Sequence, residues 1–246
     1  MKLSKEEKAA RRAAFQAMPP AKKAEHILSY YKWPILLVLI ALFALGSTLH
    51  RQLTKKEPVL YLAMVNIAVG DEMEKHLTSD YLAAAGFNAK KQEVYLYRDL
   101  YISEDADTLN HEYAYASKMK LTGAINAKKM DLVLMNREAY DMLSRSGFLL
   151  ELTSSVFEDD PALYEGLISF ISANDLVLSD NVIEYQLGEA QTHEVKAMSV
   201  QNAIEVTALP LFAHAGFPDS VYLGVIANSE RLPACLRFID YLSSVS

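Results

Sequence analysis

One cysteine, Cys235, stands in 246 residues. No intrachain disulfide can form, and no zinc site built on several thiolates can either. No cysteine follows an apolar run, so the chain offers no acceptor for a lipoprotein anchor. Glycine is scarce and scattered, with 9 residues. That excludes a Gly-rich phosphate loop, and no G-x-S-x-G turn is present. The histidines His76, His111, His193 and His214 have no metal-ligand spacing. His111-Glu112 opens like a zinc-protease helix, but Tyr115 occupies the place of the second histidine. Asp105-Ala106-Asp107-Thr108 approaches a phosphotransfer pattern and breaks it at Leu109. Glu104, Asp105, Asp107, Asn110 and Glu112 lack the spacing and mid-loop glycine of a calcium loop. They read as the acidic start of a helix. The sequence therefore points to no catalytic residue, no metal and no cofactor, and to a protein that is not an enzyme.

What is present is an uncharged apolar run, Trp33 to Leu49. It lies near the lower end of the ~17–25 residues that a helix needs to cross a bilayer. Pro34 suits the first turn of such a helix. Tyr30, Tyr31 and Trp33 suit the headgroup level, and Lys32 and Arg51 flank the run. A buried helix and a cleaved secretory signal ending at Ala44-Leu45-Gly46 are the competing readings. The long basic segment before the run favours an uncleaved signal anchor. Residues 1–56 carry 11 basic and 3 acidic groups, net +8. That leaves 24 less 11, or 13, basic and 31 less 3, or 28, acidic groups beyond, net −15. The positive-inside rule then puts the N-terminus in the cytoplasm and the large domain outside. An acidic domain is a poor partner for nucleic acid or anionic lipid. The expected organisation is a basic cytoplasmic tail (1–32), a transmembrane helix (33–49), a stalk (50–57) and an extracytoplasmic domain (58–246).

Residues 4–17 predict a helix opened by a Ser4/Glu7 capping box and stopped by Pro19-Pro20. A second helix starts at Ala21 and runs into the span. Residues 59–67 (VLYLAMVNI) form an apolar run expected of a strand buried on both faces. A helix follows over 71–85, with Met73, Leu77, Tyr81 and Ala84 on one face and Gly86 after its end. Strand 92–98, helix 107–121, strand 130–135 and helix 137–146, capped by Asn136, continue the alternation. The inner stripe of helix 107–121 is expected to be Leu109, Tyr113, Ala116 and the Lys120 stem. Short helices are expected at 154–157 and 161–170. Residues 175–206 hold strand-like pieces that suit hairpins. Residues 221–228 (VYLGVIAN) predict a buried strand. A helix from about Pro233 has Leu232, Cys235, Leu236, Ile239 and Leu242 on its apolar face. Such alternation implies an α/β fold with a mostly parallel sheet and crossover helices.

Two segments, MDLVLMNREAYDMLSRSGFLLEL (130–152) and VYLGVIANSERLPACLRFIDYL (221–242), carry a resemblance. They resemble units of extracellular solute-binding proteins with the type 2 periplasmic-binding-protein-like fold. With Tyr30-Tyr31-Lys32-Trp33 ahead of the span, the chain also resembles single-pass membrane proteins of Gram-positive anaerobes. The resemblance implies a periplasmic-binding-protein-like domain with a reduced second lobe in residues 153–220. It further implies a membrane-anchored binding or accessory protein with a small-molecule or peptide ligand. The alternative is a ligand-free subunit of a cell-envelope complex with a membrane-protein partner. A cleft in such a fold lies beyond the carboxyl ends of the parallel strands. That topology nominates Asn66, Tyr97, Arg98, Asn136 and Arg137. The tyrosines Tyr95, Tyr97, Tyr101, Tyr113 and Tyr115 cluster in sequence and suit a core or rim as well as a ligand face.

Overall fold

A computed structural model describes residues 5–103, 110–213 and 215–245, with the side chains of 5, 8, 11, 21, 24–31 and 49–54 outside the description. The chain divides into two compact units, Met1–Lys55 and Lys56–Ser246. The first consists of helix α1 (Lys5–Gln16) and helix α2 (Pro20–Thr54), 35 residues long. The expected capping residue Ser4 lies outside the described residues. The second helix begins earlier than the apolar run, so Pro20, not Pro34, holds the first-turn position. Pro34 lies inside the helix, where it leaves one backbone carbonyl without its N–H partner. Helix α2 continues to Thr54, so residues 50–54 of the expected stalk are helical. Among the described residues, no helix is long and apolar enough to cross a membrane.

The second unit is α/β with a six-stranded mixed sheet of order β2-β1-β3-β6-β5-β4. Its strands are β1 (Glu57–Val65), β2 (Gln92–Leu100), β3 (Leu132–Met135), β4 (Ile171–Asp180), β5 (Val195–Glu205) and β6 (Tyr222–Val225). Only the β2-β1-β3 part is parallel. The β3/β6, β6/β5 and β5/β4 pairs are antiparallel, so the mostly parallel expectation holds for half the sheet. The expected second lobe is also revised: residues 171–205 widen the one sheet by a hairpin. The piece VIEYQ, expected to be strand-like, is instead the short helix α7 (Val182–Gln186) inside that hairpin.

The apolar run in β1 is buried on both faces, and this fixes the layers. Leu60, Leu62 and Met64 face a core with Met73, Leu77, Tyr81 and Leu82. These four belong to helix α3, made of Asp71–Lys75, a π turn His76–Asp80 and Tyr81–Ala84. The wider turn shifts the helical phase. Leu82 is consequently buried, and Ala84, expected on the inner face, is exposed. Ala63 and Val65 face the other core with Leu121, Ala124 and Ile125 of α4 (His111–Asn126) and Ala139, Tyr140 and Leu143 of α5 (Arg137–Arg145). The buried stripe of α4 runs through Ala114, Ser117, Leu121 and Ala124. It lies one position on from the expected stripe, so Tyr113, expected inside, is exposed along with Tyr115, and small residues let the helix approach the sheet. Leu109, also expected there, lies outside the described residues. Residues 154–157 form turns, α6 (Pro161–Leu167) follows, and α8 (Pro210–Ala213) precedes β6. The last helix, α9 (Leu232–Ser244), buries Cys235, Ile239 and Leu242 of the expected face, leaves Leu232 and Leu236 half-buried, and also buries Phe238 and Tyr241, which were not expected there.

Asp131, fully buried, pins β1, β3 and the exit of β6 together. Its Oδ2 accepts from Tyr61 N at 2.9 Å, and its own N–H donates to Tyr61 O at 3.1 Å. Its Oδ1 accepts from Ser229 Oγ at 2.6 Å and Arg231 Nη1 at 3.2 Å, and its carbonyl from Ile226 N at 2.8 Å. Replacing one buried partner strands the others. Asp131→Ala is expected to lower the unfolding free energy by about 3 kcal/mol. Asp131→Asn, which keeps an acceptor, should lose less; urea unfolding of the purified protein measures both.

Candidate functional site

In an open α/β sheet, ligands bind where connections from adjacent strands leave to opposite faces. Here β1 leads to α3 on one face, and its neighbour β3 leads to α5 on the other. The pairing of Val65 with Met135 sets Asn66 beside Asn136 at that point. Tyr222, opposite Met135, opens β6 at the same level. The topology thus places two of the five nominated residues side by side.

Both side-chain polar atoms of Asn66 and the side-chain oxygen of Asn136, however, are engaged within the fold. Asn66 takes up the left-handed conformation (φ 57°). Its Nδ2 donates to Ile102 O at 2.7 Å, and its Oδ1 accepts from Ile102 N at 2.8 Å. The side chain clasps the end of β2 to the end of β1. Asn136 Oδ1 accepts from Ala139 N at 3.0 Å and caps α5, the role its position predicts. Arg137 pairs with Asp141 at 2.9 Å and lies over the rings of Tyr140 and Tyr222, at 5.5 and 5.8 Å. A hydrogen bond with Tyr222 raises its pKa further. Burial pushes the Tyr140 phenol well above its usual range, and Arg137 opposes this only in part.

Tyr97 and Arg98 do not follow the second strand; they lie within it, because β2 continues to Leu100. Between Ala63 and Val65, β1 advances two residues while β2 advances three, from Tyr97 to Leu100. Asp99 (φ 57°) accommodates this bulge, and its carbonyl accepts from Tyr113 Oη. Tyr97 joins Tyr95 and Tyr61 on the sheet, with ring centroids 5.0 and 6.4 Å away, and Lys120 lies 5.8 Å from its ring. Burial and the neighbouring tyrosines raise its pKa. Arg98 forms a bidentate pair with Glu74 of α3, Nε donating to Oε2 at 2.7 Å. The structure therefore disperses these two residues from the Asn66–Asn136 point.

A cleft of about 410 Å³ opens directly beyond β1. Ala68, Val69 and Gly70 of the β1 exit loop and Met73 and His76 of α3 form one wall; Pro210, Leu211 and Phe217 form the other. Glu72 brings the cleft an exposed carboxylate. His76 Nδ1 is buried without an aligned hydrogen bond, though Asp80 Oδ2 lies 3.0 Å away. The lining mixes apolar side chains with the polar groups of Glu72 and His76, which suits a ligand with both apolar and polar parts. A larger groove of about 530 Å³, between α6, residues 208–210 and the end of α9, contains no strand end. The rule that nominates strand ends also nominates the Ala68–Gly70 loop. The second wall comes from Pro210, Leu211, Ala215 and Phe217, whose approach to β1 has no local sequence signal.

Cys235 is fully buried, and burial pushes its thiol up to about 12, with Asp131 adding to the shift. It is the inert core thiol expected from its place on the helix stripe. Among the described residues, no group of three or more His, Cys, Asp or Glu side chains is placed to hold a metal. The acidic run 104–109 lies outside the described residues. No protein-family model matches the chain, and no curated protein is significantly similar to it.

The clasp at Asn66 separates two physical contributions. Asn66→Gly keeps the left-handed backbone and loses the side-chain hydrogen bonds; Asn66→Ala loses both. The alanine variant is expected to be less stable than the glycine variant by about 1 kcal/mol, measured by urea denaturation.

Proposed function

We propose that the chain is a single-pass, membrane-anchored extracytoplasmic binding or accessory protein of solute-binding type, and not an enzyme. The observation that carries the reading is the cleft beyond β1, at the end of the sheet where α/β proteins receive ligands. Its lining suits a small molecule or peptide side chain with an apolar body and, beside Glu72, a cationic group. The likeness to periplasmic-binding-protein-like folds belongs to this proposal. It rests on the parallel β2-β1-β3 unit and its crossover helices, with Pro210, Leu211 and Phe217 supplying the opposite wall that a second lobe supplies in a larger protein.

The anchor in this proposal is the apolar run Trp33–Leu49 within α2; the described side chains of that run stop at Thr48 and by themselves fall short of a span. Its continuity supports the role, as does the exposure of Trp33, Leu37, Ile40, Leu42 and Phe43 around the helix. Ser47 Oγ donates to Ala44 O at 3.0 Å, and Thr48 Oγ1 donates to the same carbonyl. Both hydroxyls are thus satisfied within the helix, as a hydrocarbon surrounding demands. The basic tail sets the direction, tail in the cytoplasm and domain outside.

A second reading, a ligand-free subunit of an envelope complex, is favoured by the internal engagement of Asn66, Arg98, Asn136 and Arg137.

Two measurements test the proposal. Protease added to intact protoplasts is expected to remove the domain after Lys56 and spare the tail. Protection of the domain would refute the orientation. Thermal unfolding of the purified protein against amines, amino acids and short peptides is expected to show a stabilising ligand. At about 100 times its Kd such a ligand adds about 2.7 kcal/mol. Glu72→Gln should weaken the effect of a cationic ligand. No shift across the library would favour the subunit reading.

A further inference from the structure

The β4–β5 hairpin is built in two unlike halves. Its root belongs to the body. Val200, Asn202, Ala203 and Ile204 are buried. A polar chain ties the root to α5: Tyr140 Oη bonds Asn202 Oδ1 and Ser172 O at 2.9 Å each, Asn202 Nδ2 donates to Ser144 Oγ at 2.7 Å, and Ser144 Oγ donates to Asp175 O at 2.9 Å. Beyond Val200 the pairing continues from Leu176/Met198 to Asp180/Val195 with no residue buried. That outer half and its tip expose six large apolar side chains. Leu178 (62%), Ile183 (65%) and Leu187 (68%) are the most open, with Tyr185, Val195 and Met198 beside them.

The tip is nevertheless tightly braced. Asn181 Nδ2 donates to Thr192 O at 2.9 Å, and Asn181 Oδ1 accepts from Glu194 N at 2.6 Å. Asp180 Oδ1 accepts from Val182 N at 2.9 Å and lies 2.8 Å from His193 Nε2. The His193 ring stacks on Tyr185 at 6.0 Å. The polar groups hold the loop to itself and turn the apolar ones outward. An ordered apolar tip loses little conformational entropy on docking.

Charge selects the occupant. Between Leu178 and Met198 stand Asp180, Glu184, Glu189 and Glu194 against Lys196, with Arg145 of α5 the further cation whose charge reaches Asp180. The surrounding domain carries net −15, from 13 basic and 28 acidic residues. An acidic rim repels a second copy of this chain and an anionic lipid surface alike. It complements a protein surface with an apolar groove edged by lysine and arginine.

We propose that the outer half of the β4–β5 hairpin is a docking arm for a partner protein presenting an apolar groove with a basic rim. The arm is distinct from the cleft beyond β1, so either can fail without the other. Leu178, Ile183 and Leu187 are the anchors; Glu184 and Glu189 provide the charged edge.

Photo-crosslinking of the full-length chain in its own membranes tests this. A photoreactive residue replaces Ile183 in one variant and exposed Lys90 in another. The expected result is one protein adduct at 183 and none at 90. Its cross-linked peptide should map to an apolar segment flanked by basic residues. Leu178→Ser with Leu187→Ser should lower its yield by about tenfold or more. Glu184→Lys with Glu189→Lys should lower it as well, and added salt should weaken the parent adduct. Circular dichroism of each variant separates loss of docking from loss of fold. If the serine pair unfolds the domain, the charge-reversed pair decides alone. No adduct specific to 183, an adduct to lipid, an adduct to a second copy, or a site without basic flanks would overturn the proposal. So would a yield indifferent to the charge reversal.

Discussion

Burial of β1 on both faces is the constraint from which the outer unit follows. A strand with Leu60, Leu62 and Met64 on one side and Ala63 and Val65 on the other needs two helical layers. The layers are supplied by sending the chain to α3 on one face and to α4 and α5 on the other. Placing β2 and β3 on opposite flanks of β1 achieves this with crossovers of one hand. Register is the remaining freedom, since a slip by one residue would exchange the two cores. Asp131 removes it. Its carboxylate and backbone bond three segments that meet only in the folded state. Burying a carboxylate is costly, and the Tyr61, Ser229 and Arg231 donors offset that cost.

This arrangement also explains the state of the strand ends. A short β3 and a bulged β2 bring their loops close to Asn66, whose side chain bonds both backbone groups of Ile102. The clasp and a ligand group compete for the same atoms. The open space therefore lies one step further along the chain, at Ala68–Gly70, where the exit loop parts from Pro210, Leu211 and Phe217. Neighbouring positions of one strand exit thus divide between holding the sheet together and lining a cleft.

Sequence legibility follows the same physics. The elements from β1 to α5 were readable because each side has its own period: a two-faced apolar run, amphipathic helices, and Asn136 at a cap. What failed was phase and partnership. The π turn at His76–Asp80 moved the buried face of α3, and alanine and serine, not tyrosine, marked the inner stripe of α4. The direction of β6 has no local signature, because YLGV, buried on both faces, reads alike in parallel and antiparallel pairing. Of the nominated site, the adjacency of Asn66 and Asn136 was legible from topology. The engagement of the Asn66 side chain was not, since Ile102 lies 36 residues from it. The cleft's second wall was equally remote.

The hairpin shows how a sheet can be enlarged without enlarging the core. Adding β5 and β4 beyond β6 covers the edge of the short β6, and the Tyr140–Asn202–Ser144 chain makes the junction specific. Covering that edge needs only the inner residues of each strand, down to about Val200. The outer half contributes no buried side chain, yet five hydrogen-bonding or stacking contacts hold its tip in one form. A connection serving only the sheet would turn near Val200 with polar residues, because exposed leucines promote aggregation at an open edge. The acidic residues at the tip limit that hazard by repelling identical chains. Exposed apolar groups, a braced loop and like charge around them are mutually consistent for a surface kept soluble until it meets a surface of opposite charge.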